Sequence, residues 1–171
     1  MEIRLTRKED IPQLMEVFEI AKKFMRSTGN LEQWINGYPT EDVLMNDIAN
    51  GWSHTVTDNT GNIIGTFCMM TVPEPTYIII RDGEWLNDSP YVTIHRIASD
   101  GSTHGILRKA VEYALMTGKD VRIDTHADNL PMRNAVTKLG FTRCGIINIA
   151  DGSERIAFQF VNSHKHTDVE N

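Results

Sequence analysis

The stretch IHRIASDGSTHGILRKAVEYAL, residues 94–115, decides the fold because its pattern changes in the middle. Residues 93–98 are mostly apolar and predict a strand, and residues 99–103 are all small or acidic. From His104 onward the apolar residues recur at helical spacing. Such a loop, with Gly101 and Gly105 before a helix, either binds a ligand's phosphates at free N–H groups or only connects a strand to a helix.

The elements around this stretch predict one mixed α/β domain over residues 1–162. A capping box formed by Thr6 and Glu9 is expected to open the first helix. Strands are predicted at 2–5, 54–57, 63–70, 77–80, 91–98, 121–126, 141–148 and 155–161. Helices are predicted between the capping box and Gly29, at 31–36, at 40–49, between His104 and Gly118, and between an Asp128 or Asn129 cap and Gly140. This order lacks the regular alternation of a doubly wound sheet.

Composition limits the classes of partner. The chain has 171 residues, a net charge of -6 and a pI of about 5.5, which argues against nucleic-acid binding. No apolar run approaches the roughly 20 residues of a membrane span, and the charged N-terminus favours a cytoplasmic protein. Cys68 and Cys144 fit neither a metal motif nor a disulfide framework. The polar residues 163–171 are expected to form a disordered tail, and homodimer formation is left open.

Two motifs, taken together and in order, resemble the Gcn5-related N-acetyltransferase (GNAT) family. The first is the strand YVTIHRIA, the loop SDGSTHG and the following helix, in which the family's Arg/Gln-x-x-Gly-x-Gly/Ala falls on residues 102–107. The second, NLPMRNAVTKLGF, is similar to the family's Asn-x-x-Ala…Leu-Tyr-x-Lys-x-Gly-Phe. It matches at Asn129, Lys138, Gly140 and Phe141. The resemblance covers residues 3–160 and implies a central, mostly antiparallel twisted sheet with helices on both faces.

The resemblance also implies acetyl-CoA as co-substrate. Its pyrophosphate is expected at the start of the helix, on Thr103, His104, Gly105, Ile106 and Leu107. Its pantetheine arm is expected along Ile97 and Ala98 and against Asn129. Two departures from the family pattern, Ser102 and Leu107, predict weak binding or a shifted pose, and they leave open a member that has lost activity.

The chemistry needs a group that accepts the amine proton. The tyrosine that often serves as acid in the family is replaced by Val136. His95 is either this base, with an ordinary pKa near ~6.5, or a hydrogen-bonded core histidine. Asp124 either holds an amine or a water, or satisfies backbone donors. Strand alternation predicts Tyr91, Thr93, His95 and Ile97 on one face, and Asp124 with His126 on one face. No metal is expected, because the histidines lie on different strands.

Trp34 and Tyr38 fall in the segment that often walls the acceptor pocket in the family, although they are equally plausible as a lid on the core. The sequence therefore predicts an N-acetyltransferase that moves an acetyl group from acetyl-CoA to a primary amine of a small molecule or peptide. The alternative is a non-catalytic acyl-CoA or small-ligand binding domain on the same scaffold.

Overall fold

The computed structural model describes residues 1–163, so the predicted tail lies outside the described residues from residue 164 onward. The strands are β1 Glu2–Leu5, β2 Ser53–Thr57, β3 Ile63–Met70, β4 Tyr91–Ser99, β5 Asp120–Thr125, β6 Thr142–Asn148 and β7 Glu154–Phe160. The helices are α1 Ile11–Ser27, α2 Glu41–Ala49, α3 Ile106–Leu115 and α4 Leu130–Lys138. No helix within residues 1–163 has the length and apolar character needed to cross a membrane.

The strands form one sheet in the order β1-β2-β3-β4-β5-β7-β6. Every neighbouring pair is antiparallel except β4 and β5, which α3 connects as a crossover. Helices α3 and α4 supply Ile106, Ala110 and Val136 to the core on one face, while α1 and α2 supply Leu14 and Leu44 to the core on the other. The predicted mixed, mostly antiparallel sheet with helices on both faces is confirmed.

Three local predictions are wrong. Residues 31–36 form turns rather than a helix. Residues 77–80 do not form a strand, because Tyr77 ends a 3-10 turn, Pro75–Tyr77, and residues 78–80 are irregular. The β-branched run there has no pleated surface to pack on, because Tyr77 turns inward while Ile78 and Ile79 stay exposed. Thr6 does not cap α1, because its hydroxyl pairs with that of Thr55 in the neighbouring strand.

A β-bulge at Arg96 changes which way β4 presents its side chains. Thr66 pairs with Ala98 and Cys68 with His95, so β4 carries one extra residue over this span. Arg96 has a positive φ of 49°. The predicted common face for His95 and Ile97 is therefore wrong, because Ile97 packs against the α3 core instead.

The parallel pair β4 and β5 separates beyond its first three residues. Their register runs from Tyr91–Asp120 to Thr93–Arg122 and then stops. From residue 94 onward, β4 pairs with β3 alone. The sheet therefore has an internal gap with an open backbone edge on β4.

Candidate active site

A cleft of about 590 Å³ passes through this gap between β4 and β5. Residues from both faces of the sheet line it, among them Ile97 from the α3 side and His95 from the opposite side. The cleft brings together six of the residues expected from sequence to be functional: His95, Asp124, Ile97, Asn129, Trp34 and Tyr38. Ala98 and residues 103–107 do not line it.

His95 lies between two carboxylates at this gap. Its Nε2 is 2.7 Å from Glu74 Oε2, and its Nδ1 is 3.7 Å from Asp124 Oδ2. The three side chains are only 17%, 12% and 9% exposed for His95, Glu74 and Asp124 respectively. Sequence reasoning missed Glu74, whose only signal is an acidic residue between two prolines, Pro73 and Pro75.

The Glu74 carboxylate decides which nitrogen of His95 carries hydrogen. Burial alone would raise the pKa of Glu74, but the hydrogen bond and charge of His95, together with donors from Thr76, lower that pKa to about 2. An ionised carboxylate can only accept, so Nε2 of His95 donates. In the neutral ring Nδ1 is then an acceptor, and it faces a second acceptor, Oδ2 of Asp124. A ligand that carries two N–H hydrogens could donate one to Nδ1 of His95 and the other to the Asp124 carboxylate.

Tyr77 positions the Asp124 carboxylate by a hydrogen bond, and Trp85 in turn positions Tyr77. Tyr77 Oη donates to Asp124 Oδ2 at 2.7 Å, and Trp85 Nε1 donates to the Tyr77 carbonyl at 2.9 Å. Burial, and then the Asp124 charge, raises the pKa of Tyr77 well above its usual value, so the hydroxyl keeps its proton. The Arg122 guanidinium lies 4.0 Å from the Trp85 ring centroid and 3.9 Å from that of Tyr91. These contacts fix one oxygen of Asp124 and leave the carboxylate directed at His95.

Arg96 secures the opposite wall of the cleft. Its Nε and Nη2 donate to the two carboxylate oxygens of Asp47 at 2.8 and 2.7 Å, and its Nη1 donates to Tyr38 Oη at 2.9 Å. Trp34 packs edge-on against Phe18 with ring centroids 5.5 Å apart. Trp34 and Tyr38 therefore contribute to the cleft wall and also pack against the fold behind it.

Asn129 uses its side-chain amide within the protein. Its Oδ1 accepts the Met132 N–H at 3.2 Å and so caps α4, which confirms the predicted cap. Its Nδ2 donates to Gln33 Oε1 at 3.0 Å, and Asn30 donates to the same oxygen. This network ties the loop before α2 to the start of α4. The contact of Asn129 with a pantetheine arm stays a prediction.

The loop before α3 ends on a left-handed residue. Gly105 has φ 93° and precedes the first turn of α3, and its carbonyl accepts a hydrogen bond from the Lys109 N–H. Within the described chain, the N–H groups of residues 103 and 104 and of residues 106–108 have no acceptor in the hydrogen-bond network. The Leu107 side chain packs against the core. The N–H groups thus suit a phosphate, although Asp100 adds a carboxylate to the same loop.

Three polar residues considered from the sequence, His126, Cys68 and Cys144, do not line the cleft. His126 follows the end of β5, where its Nδ1 accepts the Asp128 N–H at 3.1 Å, so its predicted alternation with Asp124 along the strand is wrong. Cys68 and Cys144 are buried and free, and burial raises the pKa of both thiols, that of Cys68 to about 12. Among residues 1–163, no three His, Cys, Asp or Glu side chains are grouped to hold a metal ion.

The Glu74 carboxylate predicts an acid-sensitive part of the stability. Its folded-state pKa of about 2 lies below its ordinary 4.5, so its ionised form stabilises the fold above pH 4.5, and this contribution is lost as the pH falls toward 2. We expect Glu74→Gln to lower the free energy of unfolding at pH 7 by about 1–2 kcal/mol, after discounting for solvent screening. The difference from wild type should shrink between pH 4.5 and 2 in urea titrations.

Glu32→Gln is the matched control, because Glu32 also lines the cleft but is exposed. It should follow the wild-type curve. A constant offset between Glu74→Gln and wild type across this pH range would contradict the role given to the Glu74 charge.

Comparison with known proteins identifies relatives by structure. No family model and no curated protein sequence matches the chain. An acetyltransferase of the GNAT family from Streptococcus agalactiae is 32% identical, with 94% of each chain covered and a TM-score of 0.81. A GNAT-family acetyltransferase from Listeria monocytogenes is 17% identical over 94% of each chain, with a TM-score of 0.68. The Escherichia coli ribosomal-protein-S18-alanine N-acetyltransferase is 15% identical over 99% of each chain, with a TM-score of 0.61. The last two share the fold.

Proposed function

Since the chain belongs to the GNAT family of acetyltransferases, we propose that it transfers the acetyl group of acetyl-CoA directly to the primary amine of an acceptor. The observation that carries the proposal is the position of His95, whose Nε2 is bound to Glu74 and whose Nδ1 faces Asp124 at the gap in the sheet. This arrangement supplies a proton acceptor beside the open edge of β4.

His95 and Asp124 have different roles toward the amine. Nδ1 of His95 accepts one amine proton, and the Asp124 carboxylate accepts a hydrogen bond from another. Glu74 stabilises the imidazolium that results, since it already holds Nε2 at 2.7 Å. Tyr77 keeps Asp124 oriented during the step. The amine nitrogen bonds to the acetyl carbon as the carbon–sulfur bond breaks, and the sulfur leaves as a thiolate.

The departing thiolate needs no dedicated acid. A thiol has an ordinary pKa near ~8.5, so the thiolate is a fair leaving group and takes its proton from His95 or from water. This agrees with Val136, which stands at the family's tyrosine position and is fully buried in the core. Tyr77 is buried and its pKa is raised, so it acts as a positioning residue and not as the acid.

Acetyl-CoA supplies the thioester, and three parts of the chain fit it. The backbone of Ile97 and Ala98 lies on the edge of β4 that β5 leaves open, which suits the amides of the pantetheine arm. The free N–H groups at the start of α3 suit the pyrophosphate. At Gly105 an added Cβ would meet only Met1 Cε, at 3.8 Å, so the approach to this turn is open.

Release of free thiol from acetyl-CoA, measured across a panel of primary amines, tests the proposal. We expect amine-dependent thiol release, with acetylated amine detected by mass spectrometry in equal amount. Acetyl-CoA binding measured by calorimetry without any amine-dependent release would favour the alternative, a non-catalytic acyl-CoA binding domain, for which the missing tyrosine is the supporting observation.

A further inference from the structure

Arg155 is a buried cation on the same side of the sheet as Asp124. Asp124 pairs with Ala157 across β5 and β7, and Arg155 stands two residues before Ala157, so the three share one face. Arg155 lines the cleft and is only 7% exposed. Diagonal neighbours on an antiparallel pair lie about 7–8 Å apart, within reach of a long side chain. Arg155 is therefore a neighbour of the proposed amine site.

The guanidinium of Arg155 has hydrogen-bond donors that are not paired within residues 1–163. Its Nη1 donates to Ser153 Oγ at 3.0 Å and to the Glu154 carbonyl at 2.8 Å. In the part of the chain that the structure describes, its Nε and Nη2 have no hydrogen-bond acceptor and no carboxylate lies within ion-pair distance. Hydrogen bonds from Ser153 to Asp151 Oδ1 are the main cause that lowers the pKa of Asp151, and the Arg155 charge lowers it further, although the two side chains are not within ion-pair distance.

The side chain of Arg155 has little exposed surface, but its free donors are accessible from the cleft. A carboxylate on a ligand in the cleft suits these donors, because the planar fork of arginine binds a carboxylate with two parallel hydrogen bonds. Coenzyme A phosphates do not suit this role, because α3 packs on the opposite face. Ile156 and Phe158 of β7 face the α3 core, so Arg155 points away from it.

We propose that Arg155 binds the carboxylate of the acceptor, and that the acceptor is a small amine of the amino-acid type. This inference rests on the proposed function for the placement of the amine at His95 and Asp124. The cleft then presents Asp124 and Nδ1 of His95 to the nitrogen, and the neighbouring Arg155 to the carboxylate. An amino acid carries those two groups a few ångströms apart.

Binding of L-amino acids and of their carboxamides tests this subsite without requiring turnover. Calorimetry on the wild-type protein should find at least one amino acid that binds about 10- to 100-fold more tightly than its carboxamide. Arg155→Gln should lose that preference, with the carboxamide affinity unchanged, and Arg155→Lys should keep part of it. Arg143→Gln is the matched control, because it removes an exposed arginine from β6 outside the cleft lining.

Acetylation of the same pairs separates the two proposals. A preference for the carboxylate that disappears in Arg155→Gln, in binding or in kcat/KM, supports the subsite. If the preference appears in binding but no amine is acetylated, the proposed transfer fails while the subsite stands. The proposed subsite is wrong if the wild-type protein binds an amino acid and its carboxamide with equal affinity. It is also wrong if a folded Arg155→Gln protein keeps the preference for the amino acid.

Discussion

Replacing His95 with glutamine is expected to lower kcat by about 10²–10⁴-fold, the usual contribution of a positioned general base. Glutamine keeps a donor for Glu74, but it offers no titratable nitrogen toward Asp124. The wild-type rate should rise with pH as the base loses its proton, and it should show no falling limb, because Val136 cannot act as an acid. The variant should lose this dependence and change KM little.

His126→Gln is the control for this experiment. His126 precedes α4, and its ring is engaged with the Asp128 backbone outside the cleft. The kcat and the pH profile of the His126→Gln variant should match those of the wild type. If His95→Gln keeps full kcat and the same profile, His95 is a core residue, and Asp124 or bulk water accepts the proton.

Replacing Gly105 with aspartate is expected to weaken acetyl-CoA binding by about 10²–10³-fold relative to Gly105→Asn. Both side chains have the same shape, and both tolerate the left-handed conformation, with φ 93°, better than most residues do. The pair therefore differs only in charge. A negative charge about 4 Å from a phosphate costs about 4 kcal/mol at the effective dielectric of a protein surface, before screening by salt.

Calorimetry at low and at moderate ionic strength measures this difference. The gap between the two Gly105 variants should narrow as salt rises, while their melting temperatures stay alike. Equal affinities for acetyl-CoA at low salt would place the pyrophosphate elsewhere than at the start of α3.

The order of elements was predictable because each one carries a local signal. The apolar spacing, and Gly118 and Gly140 at helix ends, are signals that act within a few residues. The bulge at Arg96 has no such signal, since it depends on how β3 pairs with β4. One extra residue in β4 was enough to make the predicted face of Ile97 wrong.

The candidate site was predictable only in part. His95 and Asp124 were found because both lie near strand ends, where α/β sites collect. Glu74 lies in a loop without periodicity, and its contact with His95 spans 21 residues, so no local pattern announces it. Arg155 did leave a signal. The polar residues Arg155 and Gln159 alternate with apolar residues in β7, which marks one face of that strand as partly polar, but only the gap between β4 and β5 places Arg155 in a cleft wall.

The open edge of β4 bears on how such a protein can diverge. Every residue has a backbone carbonyl, and every residue except proline has a backbone N–H. Substitutions at Ile97 or Ala98, other than to proline, therefore keep the hydrogen-bond donors and acceptors of this edge. Binding of the acetyl donor at this edge would therefore persist through many substitutions. Binding of the acceptor depends instead on individual side chains such as Arg155, and a single substitution removes such a contact. Selection could therefore retarget the acceptor while the thioester chemistry is inherited intact.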